Sequence, residues 1–221
     1  MNLFEKGRKM SRVWVFDLDN TLHNAGAHIF PHMNRAMTLY LQDHLNLDEA
    51  GANELRERYW LRYGATLQGL MRHHGTDPDH FLWHTHQFPA LHQMVLLQRG
   101  LRSALQRLPG RKLVYSNAPA NYIHRVLELL GIADLFEEVF TIEHAGYRPK
   151  PDTHGFRRLF RRLRLNPSRC IMVEDTLANL KTAKKLGMKT VLVGALPKRP
   201  SCVDLSVKSV LELPRAQRRI R

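Results

Sequence analysis

The sequence predicts an α/β protein in which a doubly wound parallel sheet carries an inserted block of helices. Short, continuously apolar runs rich in valine and isoleucine recur along the chain, as in strands that are buried on both faces of a parallel sheet. In the second half of the chain these runs alternate with helical patterns, which is typical of a sheet covered by helices on both sides. The predicted strands are 12–17, 112–116, 139–142, 170–174 and 190–194.

Helical patterns lie between the last four predicted strands. Residues 120–130 and 177–186 stop at Gly131 and Gly187, and glycine commonly follows the last residue of a helix. Residues 152–164 place four apolar side chains on one face, so the arginines of this segment should lie on the opposite, solvated face. These apolar side chains are Phe156, Leu159, Phe160 and Leu163.

The interval 25–96 contains no convincing strand and interrupts the alternation. Its pattern predicts helices at roughly 32–45, 51–62, 64–74, 78–86 and 89–95. We interpret this interval as a helical cap inserted between the first two strands of the sheet. The predicted division is therefore a core formed by 1–24 and 97–213, a helical cap formed by 25–96 and a basic tail at 214–221.

The tail carries the sequence RAQRRIR after Pro214. Proline disfavours a helical continuation from the core, and no tail residue falls on a site position. We expect a mobile tail that is dispensable for chemistry and whose arginines lie in solvent. These arginines are Arg215, Arg218, Arg219 and Arg221.

The charge balance indicates an affinity for anions. The chain has 34 lysines and arginines against 20 aspartates and glutamates, which gives a formal net charge of +14. Such a field attracts nucleic acid, a membrane surface or small phosphorylated metabolites, and charge alone does not choose among them.

Other features of the composition predict a cytoplasmic protein without a membrane partner. The start, MNLFEKGRKMSRV, is basic but lacks the apolar stretch of a signal peptide. No apolar run approaches the roughly 18 residues of a membrane span. Two cysteines, Cys170 and Cys202, do not make a disulfide framework.

Polar side chains follow the predicted strands at their carboxyl ends, which is where ligands bind in an open parallel sheet. The residues concerned are Asp17, Asp19, Thr21, Ser116, Asn117, Lys150, Glu174 and Asp175. Carboxylate and carbonyl oxygens suit Mg²⁺, which offsets clustered negative charge. A carboxylate can also act as a nucleophile and form an aspartyl-phosphate, while a second carboxylate two residues on handles protons. Ser116 and Lys150 are suitable donors to phosphate oxygens.

These elements, in this order, resemble the haloacid dehalogenase-like hydrolase superfamily, with its Rossmann-like core and inserted cap. The resemblance implies that Asp17 is the nucleophile and that Asp19 is the general acid and base. It implies a phosphate-binding role for Ser116 and Lys150. The metal ligands implied are Asp17, the main-chain carbonyl of Asp19, Asp175 and, directly or through water, Glu174. Thr21 would steady the turn and, together with Asn117, would join the substrate-binding group, and Asn179 would lie in the outer shell of the metal.

Asp19 also favours a phosphatase, because the dehalogenase branch generally lacks this aspartate. A phosphomutase shares the same residues and stays an alternative. The segments DNTLHNAGAHIFPHMNRAM and YGATLQGLMRHHGTDPDHF resemble the pyrimidine 5′-nucleotidase branch, which implies a nucleoside monophosphate such as UMP or CMP as substrate. Phosphoglycolate and sugar phosphates remain alternative substrates, since their phosphatases have the same core.

Two further interpretations compete with this one. The charge of +14 motivates a nucleic-acid-binding protein on a degenerate hydrolase core, but the acidic residues at the strand ends would repel a phosphate backbone. The cap histidines His80, His84 and His86 have spacings found in metal sites, yet structural or surface roles fit them better. His23, beside the predicted nucleophile, is a candidate for contact with substrate.

Overall fold

A computed structural model describes residues 12–220, which form a six-stranded parallel sheet in the order β3-β2-β1-β4-β5-β6. The predicted fold class is therefore confirmed. Residues 1–11, which form most of the basic start, and Arg221 lie outside the described residues. Each predicted strand is found within two residues of its predicted bounds. The strands are β1 (Val13–Phe16), β2 (Arg111–Tyr115), β3 (Glu138–Phe140), β4 (Cys170–Glu174), β5 (Lys189–Val193) and β6 (Leu205–Val207).

Helices cover both faces of the sheet and fill the interval between β1 and β2. The helices of that interval are α1 (Ile29–Leu45), α2 (Glu49–Tyr63), α3 (Thr66–His74), α4 (Pro78–Thr85), α5 (Leu91–Met94) and α6 (Leu101–Gln106). The later helices are α7 (Ala120–Leu129), α8 (Thr153–Arg162), α9 (Leu177–Lys185) and α10 (Leu213–Ala216). The sequence pattern did not predict α6. Among residues 12–220, no helix is both long and apolar enough to cross a membrane.

The central strand β1 is buried on both faces, which explains its unbroken apolar sequence. Successive side chains point to opposite faces of a strand. Trp14 and Phe16 accordingly pack in one hydrophobic cluster, whereas Val13 and Val15 pack in another. Strand β1 pairs with β2 on one side and with β4 on the other. Its carboxyl end therefore lies where the chain crosses over in both directions, which is the usual ligand site of such sheets.

Helices α1 to α4 pack around a hydrophobic cluster of their own, which includes Leu41, Leu55, Leu70 and Phe81. Ile142, from the segment after β3, joins the same cluster and connects it to the sheet side of the molecule. Helix α5 instead packs with the sheet, because Leu91 and Val95, the residue that follows the helix, belong to the cluster that contains Trp14.

Side-chain caps fix the start of two of these helices. The carboxylate of Asp48 accepts a hydrogen bond from the main-chain N–H of Gly51 at 2.8 Å, and Asp77 accepts one from His80 at 2.7 Å. Each cap satisfies a donor that has no partner inside the helix. Pro78 follows Asp77 in the first turn of α4, where its missing N–H carries no cost.

The end of the chain differs from the prediction of a mobile tail. Pro214 lies in the first turn of α10, where proline is tolerated, so the chain continues in helical turns. Ile220 is only 4% exposed and packs in the cluster that contains Trp14 and Phe16. The tail is therefore anchored to the core through Ile220, while Arg215, Arg218 and Arg219 are exposed as predicted.

Helix α8 confirms the prediction that the arginines of 152–164 lie on a solvated face opposite the apolar side chains. Phe156 and Leu159 are fully buried against the sheet, and Phe160 and Leu163 pack beside them. The arginines of the helix are exposed on the other side.

Candidate active site

The carboxyl ends of β1, β2 and β4 bring the predicted site residues to one edge of the sheet. Asp17 directly follows β1, and its main-chain N–H donates to the carbonyl of Val173 in β4 at 2.9 Å. Ser116 follows β2 and donates its N–H to the carbonyl of Phe140 in β3. Glu174 is the last residue of β4. Sheet pairing thus fixes the backbone of all three positions.

Lys150 is buried against this edge and carries the positive charge of the site. Its Nζ donates to Asp17 Oδ1 at 2.7 Å, to Glu174 Oε2 at 2.8 Å and to the carbonyl of Tyr115 at 2.9 Å. These contacts use all three hydrogens of the ammonium. Burial opposes the charged form, but attraction from Asp17 and Glu174 outweighs it and raises the pKa of Lys150.

Asn117 holds the loop that carries Lys150. Its Oδ1 accepts a hydrogen bond from the main-chain N–H of Lys150 at 2.7 Å, and its Nδ2 donates to the carbonyl of the same residue at 3.2 Å. Both polar atoms of the amide are therefore engaged with the loop. Although Asn117 borders the cavity, its contacts position Lys150.

Three carboxylates form an acidic group beside the lysine. Asp17, Glu174 and Asp175 each offer an oxygen, and these oxygens lie within 4.8 Å of one another. Burial and repulsion from Glu174 raise the pKa of Asp17 despite the neighbouring Lys150. Burial and interaction with Glu174 raise the pKa of Asp175 to about 7. One ammonium does not balance three carboxylates, so the group fits a divalent cation with a preference for oxygen ligands.

Glu174 is less free to bind a metal than the two aspartates are. Its Oε1 accepts hydrogen bonds from the N–H groups of Asp175 and Thr176 at 3.2 Å each, and its Oε2 accepts the bond from Lys150. Burial works against the ionised form of Glu174, but Lys150 and these hydrogen bonds, together with one from Asn179, lower its pKa. Asn179 therefore lies in the outer layer of the group, beside Glu174.

Asn20 shapes the turn that follows β1, a role that the sequence analysis missed. It adopts a left-handed backbone conformation with φ of 60°. Its Oδ1 accepts hydrogen bonds from the N–H groups of Ala25 and Gly26 at 3.1 and 3.0 Å. Asparagine tolerates this conformation better than most residues do, so an asparagine directly after two strand-end aspartates was the available signal.

Thr21 and His23 lie behind the turn and do not border the cavity. Thr21 is 6% exposed, and its hydroxyl is enclosed without a partner among residues 12–220. His23 is directed at Asp19, with Nε2 lying 3.0 Å from Oδ1. The hydroxyl of Tyr122 donates to the same oxygen at 2.6 Å. No pattern in the sequence singles out Tyr122, which lies in an ordinary amphipathic helix.

A cavity of about 910 Å³ separates this edge of the sheet from helices α1 to α4. Its floor includes Asp17, Asp19, Ser116 and Lys150. Its cap side is mainly apolar and aromatic, with Phe30, Met33, Met37, Trp60 and Phe81. Asn34, Arg56, Gln68 and His86 add polar groups on the same side. The cavity can therefore enclose a ligand with an anionic end at the floor and a largely apolar body.

The surroundings of His86 fix its charge and the orientation of its ring. Its Nδ1 lies 3.1 Å from the carbonyl of Leu82 and therefore carries the hydrogen. Burial lowers the pKa of His86 to about 4, so the ring is neutral at physiological pH. A neutral imidazole thus borders the cavity on the cap side.

The other two cap histidines of the predicted group, His80 and His84, make a ring contact with each other. The ring centroids of His80 and His84 are 4.4 Å apart, and the hydroxyl of Tyr40 bonds Nδ1 of His80 at 2.9 Å. Within the described residues, the acidic group of Asp17, Glu174 and Asp175 is the one cluster whose ligand atoms approach closely enough for a metal. This geometry supports structural or surface roles for His80 and His84.

Known proteins resemble the chain at the level of family, sequence and fold. Residues 12–187 match the family described as haloacid dehalogenase-like hydrolase. The chain is 26% identical to Phosphate metabolism protein 8 of Saccharomyces cerevisiae over 82% of this chain and 61% of that protein, so it spans less than two thirds of the yeast relative. It is 27% identical to Phosphoglycolate phosphatase of Rhodospirillum rubrum over 92% of this chain and 88% of that protein. Among solved structures, CbbY from Rhodobacter sphaeroides in complex with phosphate has a similar fold, with a TM-score of 0.63, 19% identity and coverage of 92% of this chain and 96% of that chain.

Proposed function

The chain belongs to the haloacid dehalogenase-like hydrolases, and on this premise we propose that it is a Mg²⁺-dependent phosphatase. The proposed reaction passes through an aspartyl-phosphate on Asp17 and releases phosphate from a pyrimidine nucleoside 5′-monophosphate. One observation carries the proposal, which is that two carboxylates with different surroundings face the same cavity. Asp17 lies against the ammonium of Lys150, whereas Asp19 is held by a tyrosine and a histidine. Such a pair suits separate roles as nucleophile and proton donor.

In the first step an oxygen of Asp17 attacks phosphorus. Lys150 occupies Oδ1, so Oδ2 is the free oxygen of this carboxylate. The bond between phosphorus and the leaving oxygen breaks, and Asp19 gives its proton to that oxygen. The products are an alcohol and an aspartyl-phosphate, and Asp19 is left as a carboxylate.

In the second step water attacks the phosphorus of the aspartyl-phosphate. Asp19 takes one proton from the water as the new bond forms. The bond between phosphorus and Asp17 breaks, which frees inorganic phosphate. Asp17 is again a carboxylate and Asp19 is again protonated, so the cycle closes.

The metal would be held by Asp17, Asp175 and the main-chain carbonyl of Asp19, with Glu174 bound directly or through water. When bound, Mg²⁺ neutralises charge on the phosphoryl oxygens. Ser116 would donate to a further phosphoryl oxygen at the cavity floor, and Lys150 would place its positive charge beside the phosphoryl group, donating to it only by giving up one of its three present hydrogen bonds. The hydroxyl of Ser116 accepts a bond from the N–H of Ala118 at 3.1 Å and keeps its own hydrogen for a phosphate oxygen.

The cap side of the cavity supports a leaving group of nucleoside size. We propose that residues 25–96 act as a cap that closes over substrate and excludes water during transfer. Arg56 lies at this wall, and its Nη1 donates to Oδ1 of Asn34 at 3.2 Å. Its Nε is enclosed without a partner among residues 12–220. Guanidinium and amide donors next to Trp60 suit the carbonyl oxygens and the flat face of a pyrimidine ring.

A second candidate substrate is phosphoglycolate. It is favoured by the relative from Rhodospirillum rubrum, which covers nearly the whole of this chain. A phosphomutase would use the same floor residues and would return the phosphoryl group to a sugar phosphate. These alternatives differ in product and can be separated in one assay.

A panel of phosphate esters tests the proposal. We expect purified protein to release phosphate from p-nitrophenyl phosphate with Mg²⁺, to lose this activity in EDTA and to regain it when Mg²⁺ is restored. UMP and CMP should exceed AMP and GMP in kcat/KM by at least about tenfold, or ~1.4 kcal/mol of transition-state binding. The panel should include phosphoglycolate and a hexose phosphate, with both free phosphate and isomerised sugar phosphate measured.

Asp17→Asn protein purified in parallel is the control for contaminating phosphatases. Undiminished turnover after thorough metal removal would refute the metal-dependent reaction. Purines equal to pyrimidines, or phosphoglycolate as the best substrate, would refute the pyrimidine preference and leave the phosphatase standing. An isomerised sugar phosphate without free phosphate would indicate a mutase.

A further inference from the structure

Two buried side chains contact the carboxylate of Asp19 from the side away from the cavity. The hydroxyl of Tyr122, in the first turn of α7, donates to Oδ1 at 2.6 Å. Nε2 of His23, from the turn after β1, lies 3.0 Å from the same oxygen. Tyr122 is 2% exposed and His23 is 5% exposed, and neither borders the cavity that Asp19 borders. Both contacts therefore reach Asp19 from the side away from bound substrate.

The surroundings of His23 place a ring hydrogen on Nε2. Its Nδ1 is enclosed and has no partner within the described part of the chain. A hydrogen on Nδ1 would be buried without an acceptor, which costs free energy, whereas a hydrogen on Nε2 meets a carboxylate oxygen. His23 and Tyr122 are therefore both donors to Asp19.

These two donors leave Asp19 with one occupied oxygen and one free oxygen. Among residues 12–220, Oδ2 has no hydrogen-bond partner, while Oδ1 has two. Because both donors must keep the same oxygen, they fix the plane of the carboxyl group and direct the other oxygen away from themselves. Asp19 borders the cavity and the two donors do not, so the oxygen that they leave free is the one available to a ligand there.

We infer that His23 and Tyr122 are positioning residues for proton transfer by Asp19. They orient the carboxyl group so that Oδ2 gives its proton to the leaving oxygen as the bond between phosphorus and that oxygen breaks. The inference rests on the proposed phosphatase reaction. Proton donation matters most when the leaving oxygen is strongly basic, as in an alkyl alcohol, and least when a nitrophenol leaves.

The test compares variants on two esters that differ in this respect. The esters are p-nitrophenyl phosphate and the best alkyl phosphate of the substrate panel. The constant to measure is kcat/KM, because it covers the steps up to formation of the aspartyl-phosphate. We expect Tyr122→Phe to lower kcat/KM about tenfold for the alkyl ester and less than about twofold for the aryl ester. His23→Leu should show the same selective loss, and His23→Gln, whose amide can donate to the same oxygen, should retain most of the wild-type value.

Two further variants give the largest expected loss and a matched control. Asp19→Asn sets the upper limit, with an expected loss of about 10²–10⁴-fold for the alkyl ester. Tyr40→Phe is the matched control, since it removes another buried tyrosine hydroxyl whose hydrogen bond, to His80 in the cap, does not involve Asp19. Its ratio of alkyl to aryl activity should equal that of the wild type.

An equal loss on both esters, or no loss in a folded Tyr122→Phe protein, would overturn the inference. If thermal unfolding shows that Tyr122→Phe is not folded, the comparison of His23→Leu with His23→Gln tests the inference instead. If Asp19→Asn loses alkyl activity selectively while the His23 and Tyr122 variants do not, the inference fails and the proposed function stands. If the wild type hydrolyses neither ester, the proposed function fails and the inference falls with it.

Discussion

Asp17→Asn is expected to reduce phosphate-ester turnover by at least about 10⁴-fold, because the nucleophile and a metal ligand are lost together. The amide keeps the shape of the side chain, but its oxygen is a poor nucleophile and carries no charge. The loss should appear equally with aryl and alkyl esters, since both require attack on phosphorus. Measurement of kcat/KM on p-nitrophenyl phosphate with Mg²⁺, down to the detection limit, checks this expectation.

The same substitution should not weaken the fold in the absence of metal. Burial and Glu174 raise the pKa of Asp17, which means that its ionised form is unfavourable in the folded protein. Lys150 keeps its bonds to Glu174 and to the carbonyl of Tyr115. The midpoint of thermal unfolding in EDTA should therefore be equal to or higher than that of the wild type.

Asp134→Asn is the matched control for this variant. Asp134 pairs with Arg102 at 2.6 Å on the surface, in the turn that precedes β3 and so at the opposite edge of the sheet from Asp17. The activity of the Asp134→Asn variant should equal that of the wild type. Near-normal turnover by a folded Asp17→Asn protein would contradict the assignment of Asp17 as nucleophile.

The floor of the site can be predicted from the sequence because its signals are local. Each strand is a short apolar run, and the residues that follow it must lie at one edge of a parallel sheet. Asp17, Ser116 and Glu174 therefore follow from the strand pattern once the strands are placed. Lys150 lies in the loop after β3 and was also assigned from its position after a predicted strand, and the resemblance to a family added its phosphate-binding role.

The contacts that hold the site could not be predicted in the same way. Tyr122 occupies a position on the apolar face of α7 and would be read as a core residue from its spacing. Its bond to Asp19 joins positions 103 residues apart, and no local pattern reports such a pairing. The same holds for Ile220, whose place in the core depends on how the end of the chain packs over the sheet.

Strand β6 was not predicted, because its presence also depends on a pairing that leaves no local pattern in the sequence. It has only three residues, Leu205–Val207, and it follows a segment with Pro197 and Pro200 that reads as a loop. Its pairing with β5 begins at Leu205 opposite Val191. A strand of this length is defined by the neighbour that it joins, because three residues contain too little periodicity to distinguish a strand from a turn.

Lys150→Met is expected to destabilise the metal-free protein by about 3–5 kcal/mol, because it leaves two buried carboxylates without their counter-charge. In the wild type, the ammonium lies 2.7 Å from Asp17 and 2.8 Å from Glu174, and its side chain is almost fully buried. Activity with Mg²⁺ should also fall, by about 10²–10³-fold in kcat/KM, because the positive charge beside the transferring phosphoryl group is lost. Urea unfolding in EDTA and steady-state kinetics with Mg²⁺ measure the two effects separately.

Lys184→Met provides the matched control, since it removes a lysine from a half-exposed pair with Asp204 at 2.5 Å. Pairs of this kind contribute about 0–1 kcal/mol, so its unfolding should change little. If Lys150→Met lowers the free energy of unfolding by no more than Lys184→Met does, the buried charges are compensated in another way.

The destabilisation by Lys150→Met should also depend on pH and on Asp17. Once the ammonium is gone, burial and Glu174 raise the pKa of Asp17 without opposition. A carboxyl group whose pKa is higher in the folded than in the unfolded chain stabilises the fold while it is protonated, and this contribution is lost as the pH rises through the folded-state pKa. The deficit in the free energy of unfolding should therefore be small in mild acid and grow towards neutral pH.

In an Asp17→Asn background the deficit that Lys150→Met causes at neutral pH should shrink by at least about 1 kcal/mol, because one of the two unpaired charges is absent. A deficit that is independent of both pH and Asp17 would mean that lost packing of the lysine side chain, and not unpaired charge, causes it.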